Sequence, residues 1–462
     1  MKKTQKILAL LLTVCLVCVM FSACGKDNTA SGDETVVTVW SGDTHAKAVY
    51  DRLINEYNET TGKEKGVKID FQFKGGDTIG KMVELALQSG DAPEMFTSAG
   101  GLEKSIEMGY LAAIDDLPGG ADLIEPLKEY LVEGSTTLDG KTYLLPYAAT
   151  TRGLIYNKDM FKAAGIVDEK GEPKAPETLA ELREVAKKLT DTSKNQFGII
   201  FPMKWGNWFA SDIYALKQSA TGFTDFNYET GEYDLTGLDK IMEVFLGIKK
   251  DGSFYPGAES IDNDTARAHF AEGNIGMKFA FSFDVGVLND QFPAKCDWGV
   301  APLPVLDKNE KYMQRMTMNS TPYINSAVLN DSKKAEAVAE VLRFLTSDEF
   351  LTEIYISGIN IPIRSDVIEK ADESKIDRKG WVDFANMVAI SKLLQPTPKK
   401  QGIVKKSITD RFIQDVWTGK MSPKQMIDEV DAETEEQREA YLKKDPSDKT
   451  ENYIIPDWIQ KR

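Results

Sequence analysis

Val36-Val37-Thr38-Val39-Trp40 runs into Ser41-Gly42-Asp43-Thr44, and Ala46, Val49, Tyr50, Leu53, Ile54 and Tyr57 then recur at the spacing of one helix face. The β-branched run reads as a strand, the Ser-Gly-Asp group as a turn and the periodic segment as a helix. The unit repeats: residues 67–73 form a strand before a helix over 78–88, and residues 94–97 form a strand leading through Ser98-Ala99-Gly100-Gly101 into another helix. Strands alternating with helices predict α/β lobes with a largely parallel sheet.

Downstream, residues 144–148, 153–156, 197–201, 276–283 and 298–302 read as extended. Thr178 with Glu181 forms a capping box ahead of Leu179, Leu182, Ala186 and Leu189. Val338, Val341, Leu342 and Leu345 mark an amphipathic helix capped near Asp331 or Ser332. The C-terminal stretch is expected to be largely helical, with a highly charged segment over residues 428–449. No repeat of fixed period occurs.

Upstream, Lys2, Lys3 and Lys6 precede an apolar run from Ile7 to Phe21, broken only by Thr13, that stops at Ser22-Ala23-Cys24. A basic head, a short apolar middle and a small-residue exit predict a secretory signal over residues 1–23. The run resembles the lipobox of bacterial lipoproteins, which implies lipidation of Cys24 and an extracytoplasmic protein anchored to the cell membrane. Phe21 stands where Leu is usual. Residues 24–35 are too polar to bury a core and read as a flexible tether.

About 440 residues would remain after cleavage, enough for two or three lobes. Without Lys2, Lys3 and Lys6 the basic count falls from 56 to 53 against 72 acidic residues, a formal charge of -19. Such a surface repels nucleic acid and anionic lipid heads. With Cys15 and Cys18 in the signal and Cys24 lipidated, Cys296 is the one ordinary thiol, so an intramolecular disulfide is excluded from the mature lipoprotein. Its apolar neighbours predict a small buried hydrophobe.

Enzyme motifs fail on particular atoms. Gly75-Gly76-Asp77-Thr78-Ile79-Gly80-Lys81-Met82 has the glycines and lysine of a phosphate loop, but Met82 stands where a magnesium-binding hydroxyl is required. A glycine turn with Asp77 capping the next helix is the expected structure. His45 and His269 are the only histidines and lack zinc-protease spacing, so no metal and no cofactor is expected. No Gly-x-Ser-x-Gly elbow occurs. A hydrolase using two carboxylates stays open, because among 72 acidic residues a suitable pair carries little information.

Asp139-Gly140-Lys141-Thr142-Tyr143-Leu144-Leu145-Pro146-Tyr147, continued by Leu154-Ile155-Tyr156-Asn157-Lys158-Asp159-Met160-Phe161, resembles the first interlobe crossing of the extracellular solute-binding proteins of bacterial ABC importers, the family that includes maltose-binding protein. Gly90-Asp91-Ala92-Pro93-Glu94, Phe270-Ala271-Glu272-Gly273-Asn274-Ile275-Gly276-Met277, Trp298-Gly299-Val300-Ala301-Pro302-Leu303-Pro304 and Ala339-Glu340-Val341-Leu342-Arg343-Phe344-Leu345 follow in the family's order. The resemblance implies a two-lobed α/β fold of the type II periplasmic-binding-protein class, with an interlobe ligand cleft and crossings near residues 147–152, 319–325 and 359–364. The first lobe would hold residues 36–148 and 323–360, the second 149–322 and 361–462. It implies a carbohydrate ligand, permease subunits as partners, a monomer and no catalysis, with a secreted carbohydrate hydrolase or a non-sugar solute as alternatives.

A sugar receptor needs aromatic plates for C–H faces and planar polar groups for hydroxyl edges. Candidates at strand ends are Trp40, Asp43 and Thr44, with Ser98 and Gly100 offering backbone N–H groups. Thr150 stands where the maltose receptor is acidic, which argues against a maltose-type oligosaccharide. Arg152 would answer a polar ligand group or bridge the lobes. Trp205, Asn207 and Trp208 form an aromatic and amide cluster. Phe283 matches a family aromatic position, beside Asp284, and Asn319 sits at the second crossing. Lys399, Lys400 and Gln401 stand where some relatives stack a further ring, which predicts a short ligand.

Overall fold

The structure, a computed structural model, describes residues 34–75, 78–98, 100–204, 206–402 and 405–462. The signal segment, Cys24, most of the tether and the cap expected from Asp77 lie outside the described residues.

Among the described residues three larger sheets, beside two two-stranded ones, organise the chain. The first-lobe sheet runs in the order Val67–Phe73, Thr35–Ser41, Met95–Phe96, Tyr323–Asn325, Leu111–Ala112, and the second-lobe sheet in the order Trp298–Ala301, Arg152–Asn157, Ile275–Phe281, Phe197–Ile199. Between them Ile361–Pro362, Pro146–Thr150, Gln314–Ser320 and Ser391–Leu393 make a hinge sheet. All three interlobe crossings therefore lie side by side, Pro146–Thr150 pairing antiparallel with both Gln314–Ser320 and Ile361–Pro362.

The lobe sheets are mixed, which corrects the expectation of largely parallel ones. Thr35–Ser41 is parallel to Val67–Phe73 and Met95–Phe96, but Tyr323–Asn325 is antiparallel to both its neighbours, as is Arg152–Asn157 in the second lobe. Each of those two strands follows directly on a crossing. A strand arriving from the hinge enters its sheet at the cleft end and must run away from it, against the strands that run toward it.

Local signals read from sequence are realised where they rest on side-chain chemistry. Thr178 and Glu181 form a reciprocal capping box on the helix Leu179–Leu189, which buries Leu179, Leu182, Ala186 and Leu189. Asp331 caps Ser332–Leu345 by accepting from the Lys333 and Lys334 N–H groups. Every residue of Arg152–Asn157 and Ile275–Phe281 is buried, as strands covered on both faces must be. Most of the charged C-terminal segment belongs to the helix Pro423–Lys444, whose buried Arg438 pairs with Asp448 at 2.8 Å. Cys296 is partly buried against the core, and burial pushes its thiol up to about 11. No helix among the described residues is long and apolar enough to cross a membrane.

Candidate functional site

Strands that run toward the hinge deliver their final residues to one gap. Asp43, just after Thr35–Ser41, and Phe281 with Phe283, at the end of Ile275–Phe281, face each other across a cleft of about 690 Å³ whose floor includes Thr150, Thr317, Asn319 and Asn360. Arg267, Asp290, Arg378 and Trp381 complete its second-lobe side. This volume suits a small-molecule ligand.

The first-lobe side and floor are held by a polar relay. The Asp43 N–H donates to the Ser41 hydroxyl at 3.1 Å, and the Gly42 N–H to Thr97 Oγ1 at 3.0 Å, so the turn is tied to the neighbouring strand. Asn319 Nδ2 donates to Asn360 Oδ1 at 3.1 Å, joining the second crossing to the third and leaving the Asn319 carbonyl oxygen as an acceptor. Behind them the hydroxyls of Tyr50 and Tyr147 meet at 3.0 Å and link the first helix to the first crossing; burial pushes both phenols above their usual range.

The second-lobe side is aromatic and charged. Phe281 and Phe283 stack in parallel, with centroids 5.0 Å apart and planes 6° from coplanar. Phe283 is 45% exposed and Phe281 buried. The Arg152 guanidinium lies 4.1 Å from the Phe281 ring and that of Arg267 5.5 Å from the Phe283 ring. Each cation is matched: Arg152 by Asp212 at 3.0 Å, Arg267 by Asp284 and Asp264, Arg378 by Asp290 at 2.6 Å.

The structure thus brings Asp43, Thr150, Phe283 and Asn319 together around the cleft. Arg152 is buried and spends its guanidinium on Asp212 and Ser211, both in the same lobe, so its ion pair does not bridge the lobes. Asp284 is 1% exposed and turns inward to Arg267, Lys278 and the Phe281 N–H. Trp40 is half-buried in a first-lobe apolar cluster, with the Lys74 ammonium 4.9 Å from its ring. Thr44 opens a short 3-10 turn, exposed to solvent. Ser98 and Gly100 both have positive φ, 68° and 77°, in the loop after Met95–Phe96, and neither lines the cleft. Trp205 and the side chains of Asn207 and Trp208 lie outside the described residues. Arg267, Asp290, Asn360 and Arg378 line the cleft without having been singled out in the sequence. Asn360 falls inside the third crossing and was legible there; Arg267 was not, because its local partner Asp264 reads only as an i,i+3 surface pair and the buried partner that aims it, Asp284, is seventeen residues away. Among the described residues no three His, Cys, Asp or Glu side chains converge to hold a metal ion.

Comparison with known proteins agrees with this architecture. Residues 41–350 match the model of the bacterial extracellular solute-binding protein family. The chain is 28% identical over 309 residues to the maltotriose-binding protein of Pyrococcus abyssi, which covers 65% of this chain and 61% of that relative's length. It is 24% identical over 366 residues to the sn-glycerol-3-phosphate-binding periplasmic protein UgpB of Brucella melitensis, covering 75% and 78% of the two chains. Among solved structures, the cyclic alpha-maltosyl-1,6-maltose binding protein of Arthrobacter globiformis superposes with a TM-score of 0.66 at 18% identity, covering 89% and 100%. The extracellular solute-binding protein of Staphylococcus aureus in complex with maltose gives 0.62 at 20% identity, covering 89% and 99%. Two lobes, three adjacent crossings, a cleft at the strand ends and a family match over most of the chain lead to one assignment: this protein belongs to the bacterial extracellular solute-binding protein family.

Proposed function

We propose that this protein is the substrate-binding component of an ABC importer, that it binds a mono- or short oligosaccharide by lobe closure, and that it hands the intact solute to membrane permease subunits. The observation that carries the reading is the cleft's composition: a parallel Phe281–Phe283 pair beside planar polar groups from the other side and the floor, Asp43, Asn319 and Asn360. The maltotriose-binding relative supports a carbohydrate ligand. The pairing of Arg267 and Arg378 with carboxylates favours an uncharged ligand over a phosphate ester such as that of the glycerol-phosphate-binding relative. A solute touching both lobes stabilises the closed arrangement, and the permease reads that arrangement. No bond is made or broken. The chain acts as a monomer outside the cytoplasm, held to the membrane by lipid on Cys24 after removal of residues 1–23. The first lobe comprises residues 36–148 and 323–360 and the second 149–322 and 361–462. Trp205, Asn207 and Trp208 are further candidate ligand contacts, from their aromatic and amide chemistry in the sequence.

A thermal-shift screen against mono- and oligosaccharides tests the reading. At a thousandfold excess over the dissociation constant a ligand adds about 4 kcal/mol, enough to raise the melting temperature by several degrees. The sugar must be recovered unchanged; hydrolysis products would replace the receptor reading with the hydrolase one.

A further inference from the structure

Asp284 does not face the cleft, yet four donors converge on it. Its Oδ1 accepts from Arg267 Nε at 2.8 Å and from Arg267 Nη2 at 2.5 Å, while its Oδ2 accepts from Lys278 Nζ and from the Phe281 N–H, each at 3.2 Å. Lys278, 1% exposed, also donates to the Phe279 carbonyl at 2.8 Å. Asp284 is thus immobilised by the strand it follows, and it holds one edge of the Arg267 guanidinium. Arg267 Nη1 gives a further N–H to Asp264 Oδ1 at 2.6 Å.

A guanidinium has five N–H groups. Three are committed, which leaves one on each terminal nitrogen, in a side chain that lines the cleft with its cation 5.5 Å from the Phe283 ring. The two terminal nitrogens lie in one fixed plane, and an N–H from each matches two oxygens on neighbouring carbons. Arg267 and Lys278 are balanced by Asp264 and Asp284, so the pair of N–H groups sits in a locally neutral setting and favours hydroxyls over an anion.

We propose that Arg267 is a specificity-determining donor of the cleft, its two remaining N–H groups taking a vicinal pair of hydroxyl oxygens on a ligand held beside Phe283, and that Asp284, tied down by Lys278, is the positioning residue that aims it. The inference rests on the carbohydrate reading above and assigns one edge of the ligand. Loss of Asp284 frees the guanidinium to rotate; exchange of Arg267 for Lys keeps the charge and loses the paired geometry.

The test is calorimetric titration of wild type, Arg267→Ala, Arg267→Lys, Asp284→Asn and Phe283→Ala with neutral di- to tetrasaccharides, including maltotriose, raffinose and xylotriose, and with sn-glycerol 3-phosphate. For a sugar that binds wild type, Arg267→Ala is expected to weaken affinity roughly 30-fold or more, and Arg267→Lys and Asp284→Asn about tenfold. Millimolar methylguanidinium should restore part of the loss in Arg267→Ala, which a merely structural role would not allow. Arg267→Lys keeps the cation against Asp284 and so remains informative if Asp284→Asn fails to fold. If Arg267→Ala binds such a sugar within twofold of wild type while Phe283→Ala loses it, the Arg267 assignment is overturned and the carbohydrate reading stands. If wild type binds no sugar, or only sn-glycerol 3-phosphate, both are overturned.

Discussion

Asp212→Ala removes the anion from a guanidinium that has no route to water. Arg152 is 4% exposed, lies 3.0 Å from Asp212, donates to Ser211 and packs 4.1 Å from the Phe281 ring. Breaking a buried pair by deleting one partner costs about 3–5 kcal/mol, because the surviving charge keeps its desolvation penalty and loses its compensation. Against a total stability of roughly 5–15 kcal/mol, that is a large lowering of the urea midpoint with little change of slope. Replacing both partners, Arg152→Met with Asp212→Leu, should recover most of it. Burial raises the Asp212 carboxyl from the ordinary 3.8 to about 6, although Arg152 pulls the other way, and burial lowers Arg152 in turn. Folding then takes up a proton between those two values. The group's stabilising share is full below pH 3.8, declines as pH rises to about 6 and is flat above, and Asp212→Asn should remove that slope. Urea titrations from pH 3.5 to 7.5, with ligand titrations on the folded variants, measure both effects. If Arg152→Met leaves stability intact but lowers ligand affinity more than tenfold, the arginine serves the ligand and not the fold.

Lys217 is fully buried, its ammonium 3.7 Å from the Phe223 ring with no hydrogen-bond partner, and burial lowers it from 10.5 to about 7. Its cost is therefore greatest below pH 7 and disappears as pH rises to 10.5; Lys217→Met should stabilise the fold at pH 6 by roughly 2–5 kcal/mol and flatten the dependence of melting temperature on pH in that window. Phe283→Ala should weaken sugar binding by about 1–3 kcal/mol while shifting the melting temperature of the free protein little, since the ring is 45% exposed; differential scanning calorimetry and titration separate the two. Thr178→Ala deletes half of a capping box and should lower the urea-derived stability by about 1 kcal/mol without touching affinity. Cys24→Ala should abolish incorporation of labelled palmitate and release the protein into the medium; retention on the membrane would refute the anchor.

Periodicity and short-range chemistry were legible in the sequence because their causes are local. The first strand-turn-helix unit, the Thr178–Glu181 box and the Asp331 cap all depend on residues within a few positions of one another. Asp43 was legible because it follows a strand that points at the hinge, whereas Phe283 and Asn319 were legible through the family resemblance, as an aromatic position and as a residue of the second crossing. Strand direction was not legible, since Tyr323–Asn325 reads like any short strand until its entry from the hinge reverses it. Nor were the partners of charged side chains. Arg152 meets Asp212 sixty residues on, and Arg267 meets Asp284 across a helix and a strand, so whether an arginine faces ligand or protein is decided by which carboxylate the fold brings within 3 Å of it. The sequence by itself determined an α/β chain of this family with aromatic and polar residues at its strand ends. The tertiary structure alone decided which of them share one cleft, because charge pairing and burial are properties of distance in space.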